Sequence, residues 1–261
     1  LNSEIDAIFL DLGNTLRMLT KNEAHQSEAR RRITELVGTD ENPDDFCRKV
    51  DERYKLYRKW AFENRREAPE AELWTRWLAP EFPAERIAPL GVELTYQYRQ
   101  TMGLRVVVKN GKEVVAELHR RGYTLGIISN VITSREIPDW MEADGFSPHF
   151  KSVALSSVLG CRKPDPAIYH EAARQAGAEP VRCVYVGDNL KRDVEGTRAA
   201  GFGMLIILIS PEELAREVIN EENRPDAVIH QFSELLDIFP GCPRVNFDRL
   251  RVPQLTASDS A

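Results

Sequence analysis

Four short motifs in one fixed order constrain this chain more than any other feature. Asp11-Leu12-Gly13-Asn14-Thr15 follows the apolar run Ile8-Phe9-Leu10, and Ser129-Asn130 follows Leu125-Gly126-Ile127-Ile128. Lys163-Pro164-Asp165-Pro166 comes third. Gly187-Asp188-Asn189 follows Cys183-Val184-Tyr185-Val186, with Asp193 just beyond. Three of the four sit where an apolar strand stops, and in an open parallel sheet that edge is where ligands bind. Together the motifs supply a carboxylate nucleophile, hydroxyl and amide donors, one fixed cation and further carboxylates for a metal. That set suits transfer of a phosphoryl group.

The pattern between the motifs predicts the architecture. Ile5 to Leu10 reads as a buried strand. Thr20 and Glu23 form a capping box for a polar helix that stops at Gly38, and Asn42-Pro43 opens a second helix. Phe46, Val50, Tyr54, Tyr57 and Trp60 recur there at helical spacing. Glu70 to Leu78 and Ala84 to Met102 also read as helical, interrupted by Pro80, Pro83 and Pro89. Beyond this stretch, strands and helices alternate. Asn110 and Glu113 cap a helix ended by Gly122, and Tyr123 to Ile128 is a strand. Ser134 to Ala143 is a helix, Ser152 to Leu155 a strand, and Asp165-Pro166 starts another helix. Arg182 to Val186 is a strand and Asp193 to Ala200 a helix. Met204 to Ile209 is a strand, Ser210-Pro211-Glu212-Glu213 caps a helix, and Ala227 to His230 is a last strand. Alternation of this kind means a parallel sheet covered on both faces. The expected fold is α/β, a three-layer α/β/α Rossmann-like parallel sheet core with an inserted all-helical cap. Residues 1–16 and 105–240 form the core, 17–104 the cap and 241–261 a loose tail.

Charge and cysteine content narrow the function. A net charge of −6 argues against general nucleic-acid binding, which needs a basic face. It leaves room for a small anionic substrate, because a local cation and metal override the global charge. Cys47, Cys161, Cys183 and Cys242 are scattered, which disfavours both a zinc site and a disulfide framework. Free thiols in a reducing cytoplasm are the expected state. The longest apolar run, Met204 to Ile209, has a buried strand's length, so no membrane span is expected. The first residues lack the basic start and apolar stretch of a signal segment.

The four motifs together resemble those of the haloacid dehalogenase-like (HAD) hydrolase superfamily, from about Ile5 to Phe232. The nearest pattern is that of its helical-cap phosphatases. The resemblance implies that Asp11 is a nucleophile forming an aspartyl-phosphate, and that Lys163 neutralises nucleophile and phosphate. Thr15, Ser129 and Asn130 would be donors to the phosphoryl group. It implies Mg2+ held by Asp11, the Gly13 carbonyl and Asp188, with Asp193 direct or behind them, and Asp193 could equally cap the next helix. The implied substrate is a small phosphorylated metabolite, with no nucleic acid or membrane partner. Arg162 is expected to face solvent, the Arg30-Arg31-Arg32 run to be a solvated helix face, and Trp60, Trp74 and Trp77 to pack the cap, one of them near a pocket.

One departure matters. Family phosphatases usually carry a second Asp where this chain has Gly13, and that residue protonates the leaving oxygen and later activates water. General acid–base help of this kind is typically worth about 10²–10⁴ in rate. Gly13 keeps the backbone carbonyl but loses the acid, unless glycine is there only to relax a tight turn. Three outcomes stay open: a leaving group that needs no proton, another donor such as His25, or weak or absent catalysis with binding retained. Dehalogenases of the family also lack this Asp and need no metal, but the carboxylates Asp188 and Asp193 argue against that chemistry. Phosphonate-cleaving relatives need a cap lysine, and Lys21, Lys49, Lys55 and Lys59 stand in no apolar setting.

Overall fold

The structure, a computed structural model, describes residues 5–241. Its centre is a six-stranded parallel sheet of β1 (Ala7–Leu10), β4 (Thr124–Ser129), β5 (Phe150–Leu155), β6 (Cys183–Gly187), β7 (Met204–Leu208) and β8 (Ala227–Ile229), in the order β5-β4-β1-β6-β7-β8. Successive residues of a strand face opposite sides of a sheet. Ile8 and Leu10 therefore pack with Leu125, Ile127, Val184 and Val186 in one layer, while Ala7 and Phe9 pack with Ile128, Cys183 and Tyr185 in the other. Burial on both faces is what a parallel sheet between helical layers requires, and the Rossmann-like expectation holds.

The order places the site. After β1 the chain's next core strand, β4, pairs on one side of β1, and β6 pairs on the other. The carboxyl ends of these three neighbours carry Ser129, Asp11 and Gly187-Asp188. The crevice where strand order reverses lies between them.

The insert between β1 and β4 is helical from Glu23 to Thr101, including the helices Glu23–Val37, Pro43–Asn64 and Gly91–Thr101. Its ends are not helical: β2 (Arg17–Thr20) and β3 (Leu104–Val107) pair antiparallel as a two-stranded ribbon leading in and out. The insert has its own apolar core around Phe46, Tyr57, Leu73, Trp74 and Tyr98. Trp74 is fully buried and donates Nε1–H to Thr95 at 2.9 Å. The segment Leu73–Leu78 winds as a π-helix before Pro80.

Several helix ends differ from expectation. Asn22, not Thr20, accepts the His25 amide as N-cap of the first helix. Asn110 adopts a left-handed conformation instead of the extended one typical of a capping residue, and makes no side-chain cap. The helix after β4 starts at Glu136 rather than Ser134. The caps at Asn42, Asp165 and Ser210 are present, the last as a full capping box with Glu213. The expected tail lies outside the described residues from 242 onward, as does Cys242. Among the described residues no helix is long and apolar enough to cross a membrane, and Cys47, Cys161 and Cys183 are free.

Candidate active site

Asp11 ends β1 with its carboxylate buried and saturated by donors. Oδ1 accepts from the Leu12 amide at 2.8 Å and the Ser129 hydroxyl at 3.0 Å. Oδ2 accepts from Lys163 Nζ at 2.7 Å and Arg192 Nη2 at 3.1 Å. Burial pushes the carboxyl group's pKa up, but Lys163 and Arg192 outweigh it and hold the group below its ordinary value. Asp11 is therefore an ionised, oriented carboxylate.

Lys163 is buried and also donates to the Tyr185 hydroxyl, which in turn contacts the Ile128 carbonyl at 3.4 Å. Asn130 fixes the backbone beside it: Nδ2 donates to the Lys163 carbonyl at 3.0 Å, and Oδ1 accepts the Lys163 amide at 2.8 Å. The side chain of Asn130, expected as a phosphoryl donor, thus positions Lys163, and the residue also lines the cavity beside Asp11. Thr15 is fully buried, and its hydroxyl has no hydrogen-bond partner among the described residues.

Gly13 is not a conformational glycine. A Cβ built on it would meet nothing within 4 Å. The left-handed residue of this turn is Asn14, at φ 55°, and asparagine tolerates that region better than most residues. The tight-turn explanation of Gly13 is therefore corrected: neither its backbone angle nor the space at Cβ demands glycine. Asn14 Nδ2 donates to Asp188 Oδ2 at 3.0 Å, which ties the first motif to the fourth.

The carboxylate oxygens of Asp11, Asp188 and Asp193 converge to within 4.8 Å of one another. Gly187 permits this, because a Cβ there would lie 2.3 Å from Asp193 Oδ2. Asp193 is buried and does not cap the helix Arg192–Ala199 that contains it; its Oδ2 instead accepts the Asn189 amide at 3.0 Å. The group between the carboxylates is the guanidinium of Arg192. Its Nη2 lies 3.1 Å from Asp11, 3.0 Å from Asp188 and 3.0 Å from Asp193, and its Nε lies 2.8 Å from Asp193. Burial disfavours the charged guanidinium, but Asp193 and Asp11 more than reverse this and raise its pKa. Burial and the nearby Asp11 charge raise the pKa of Asp188. An oxygen-only donor set suits a hard divalent cation. The residues fit magnesium in their chemistry, and Arg192 is the group that pairs with all three carboxylates in this structure.

A second charged cluster borders the same cavity of about 210 Å³, whose lining includes Asp11, Ser129, Asp188, Arg17, Arg99 and Arg105. Glu136 accepts from Arg17 Nη1 at 3.1 Å and from Arg99 Nε at 2.7 Å, and Arg105 Nε lies 3.7 Å away. Arg17 also lies over the Trp140 ring, 4.5 Å from its centre. Burial pushes the Glu136 carboxyl up, yet Arg99, Arg105 and Arg17 hold it at about 2. Burial and Arg99, against the pull of Glu136, lower Arg105 to about 10. A single carboxylate is shared among three guanidiniums. A larger groove, about 550 Å³, runs from Asn14 and Asp188 past Ser210 toward His230.

The remaining expectations divide. Arg162 does not face solvent: it is buried and pairs with Glu67 of the insert at 3.3 Å, while Glu67 also accepts from Ser156 and Tyr57. His25 contacts Gln100 at 3.1 Å and does not line the cavity, so it is not the missing acid. Trp60, Trp74 and Trp77 all pack in the insert, and none lines either cavity. Arg30, Arg31 and Arg32 pair with surface carboxylates, and Lys49, Lys55 and Lys59 do the same. Sequence reasoning missed Arg192, Glu136, Arg99 and Arg105. Arg192 carried a signal, standing four residues after Asp188 and directly before Asp193.

Residues 5–201 match the haloacid dehalogenase-like hydrolase family. The human haloacid dehalogenase-like hydrolase domain-containing protein 3 is 30% identical over 161 residues, 60% of this chain and 62% of that protein. The glyceraldehyde 3-phosphate phosphatase of Methanopyrus kandleri is 32% identical over 123 residues, 47% of this chain and 52% of that protein. The chain thus spans between half and two thirds of the length of these relatives. A 2-haloacid dehalogenase from Pseudomonas syringae pv. Tomato DC3000 shares the fold, with TM-score 0.64 and 20% identity over 90% of this chain and 97% of that one.

Proposed function

From the premise that this chain belongs to the haloacid dehalogenase-like hydrolase family, we propose that it is a magnesium-dependent hydrolase of a small phosphate monoester. The observation that carries this reading is Asp11, an ionised carboxylate aligned by four donors at the end of β1 and facing a cavity of about 210 Å³. Asp11 attacks phosphorus, the ester P–O bond breaks and an aspartyl-phosphate forms; water then attacks that phosphorus and releases Asp11. Lys163, fixed by Asn130, stays on Oδ2 and balances the charge that develops on the phosphoryl oxygens. Ser129 orients Oδ1. Asp11, Asp188 and Asp193, with the Gly13 carbonyl, would hold the ion, which when bound draws charge off the phosphoryl group. Binding it requires Arg192 to withdraw. Residues 17–104 serve as the cap that selects substrate.

The lining of the cavity holds no neutral acid beyond this carboxylate set, and a guanidinium does not give up its proton. The enzyme accordingly favours leaving groups that depart as stable anions. Hydrolysis of an aryl and an alkyl phosphate, with magnesium or chelator, tests the reading. Aryl turnover that needs magnesium and disappears in Asp11→Asn supports it; turnover untouched by the substitution rejects it.

Arg192 favours a second reading. Carboxylates beyond the nucleophile argued for a metal, but a guanidinium that already neutralises them removes part of that argument. A metal-independent attack of Asp11 on carbon, expelling halide, needs no acid and fits Gly13. Halide release from a short 2-chloro acid in chelator would decide for it.

A further inference from the structure

The cluster on Glu136 holds more positive charge than its surroundings balance. Arg17, Arg99 and Arg105 share one carboxylate. Asp144, the next acidic group toward Arg17, is already bound by Lys112 at 2.9 Å and by the Trp140 Nε1–H at 2.7 Å. Glu136 and Arg17 are buried, and Arg105 and Arg99 are nearly so. Excess buried charge is costly unless a partner arrives. Several donors are also unspent. Arg99 uses only Nε, so both its terminal nitrogens are free of protein partners among the described residues, as is Arg17 Nη2. Arg17 Nε is buried without a partner. Arg105 is turned toward its neighbours by Nη1, which donates to the Arg99 carbonyl at 2.9 Å.

These guanidiniums come from three separate elements, β2, β3 and the helix Gly91–Thr101, and all three line the cavity that holds Asp11. We propose that Arg17, Arg99 and Arg105 form a subsite for a second anionic group, a carboxylate, on a small phosphate ester whose phosphoryl group sits at Asp11. A guanidinium presents two parallel donors that match the two oxygens of a carboxylate. Arg99 lies on a helix of the insert, and Arg17 and Arg105 lie on the ribbon that leads into and out of it, so the insert selects the substrate through charge.

The inference rests on the phosphoester reading, and a binding experiment separates the two. The probes are 3-phosphonopropionate and its uncharged amide, neither of which has an ester bond to hydrolyse, titrated calorimetrically with magnesium present. The wild type is expected to bind the carboxylate about tenfold or more tightly than the amide. Arg99→Gln should erase that preference and leave amide binding within about twofold, while Arg99→Lys restores part of it. A latch that merely holds the insert to the core would weaken both ligands alike. Equal wild-type affinities, no binding of either probe, or a preference that survives Arg99→Gln overturns the subsite. The wild-type ratio stands even where a variant fails to fold. Discrimination without turnover of any phosphate ester keeps the subsite and rejects the phosphatase reading. Turnover without discrimination does the reverse.

Discussion

Two charged clusters flank the same cavity, and their imbalance has opposite sign. On one side three carboxylates, Asp11, Asp188 and Asp193, are met by Lys163 and Arg192. On the other, three guanidiniums, Arg17, Arg99 and Arg105, are met by Glu136 alone. The first is one positive charge short and the second has two in surplus. Neutral packing would have stabilised both regions better, because buried ion pairs rarely repay their desolvation. The difference teaches what each region is for. One suits a cation and the other an anion, and Asp11 lines the cavity between them.

The largest expected effect falls on the residue that joins the two sides. Asp11→Asn keeps the shape and removes the nucleophile, and turnover should drop by about 10⁴-fold or more in steady-state assays. Retention of full activity would mean that the two clusters frame some other group. The next effect is a gain. Gly13 has open space where a family acid would stand. Gly13→Asp should raise alkyl-phosphate turnover by about 10²–10⁴ and change aryl-phosphate turnover little. Equal gains for both esters would show that the new carboxylate acts through the metal rather than on the leaving oxygen.

The two clusters were not equally legible in the sequence. Asp11, Ser129 and Asp188 follow apolar runs, Lys163 precedes a proline and Asp193 comes five residues after Asp188, and strand ends in a parallel sheet converge by topology alone. Local pattern therefore sufficed to gather them. Arg99 and Arg105 lie about ninety residues from Arg17's motif partners in no distinctive setting, and only the ribbon of β2 and β3 returns them to the site. The ribbon itself was hidden because Arg17–Thr20 and Leu104–Val107 are four-residue strands with exposed faces, too short for alternation to show. Arg162 and Glu67 were misjudged for a related reason: a charged residue is buried only when a distant partner makes that possible, and sequence does not display the partner. Asn130 was read by its motif as a ligand donor, and its hold on the Lys163 backbone thirty-three residues away was not visible there.

Arg192 tests the cation side alone. Arg192→Ala leaves Asp11, Asp188 and Asp193, two of them buried, with Lys163 as their one ion-pair partner among the described residues, and without metal the protein should lose roughly 3–5 kcal/mol of stability. Magnesium should restore most of that loss and should bind about tenfold or more tightly than to wild type, since no guanidinium has to leave. Thermal unfolding in chelator and in magnesium, with calorimetric metal titration, reads both effects without any substrate. An unchanged metal affinity would mean that the ion binds elsewhere and that Arg192 is the permanent counter-ion, which would favour the metal-independent reading.

Glu136 tests the anion side by pH, with the smallest effect. Its carboxyl is lowered from 4.5 to about 2 by the three guanidiniums despite burial, which corresponds to roughly 3 kcal/mol of folding stability at neutral pH. The sign follows from a depressed carboxylate. The contribution is complete above about pH 4.5, where the unfolded group is already ionised, and is lost as pH falls toward 2. Glu136→Gln should therefore be less stable than wild type at pH 7, and the gap should close at low pH, as read by urea unfolding across that range. Added carboxylate ligand should narrow the gap at pH 7 too, because an external anion takes over part of the role of Glu136. A gap that is independent of pH would mean that Glu136 contributes by packing, and that the three guanidiniums do not depend on its charge.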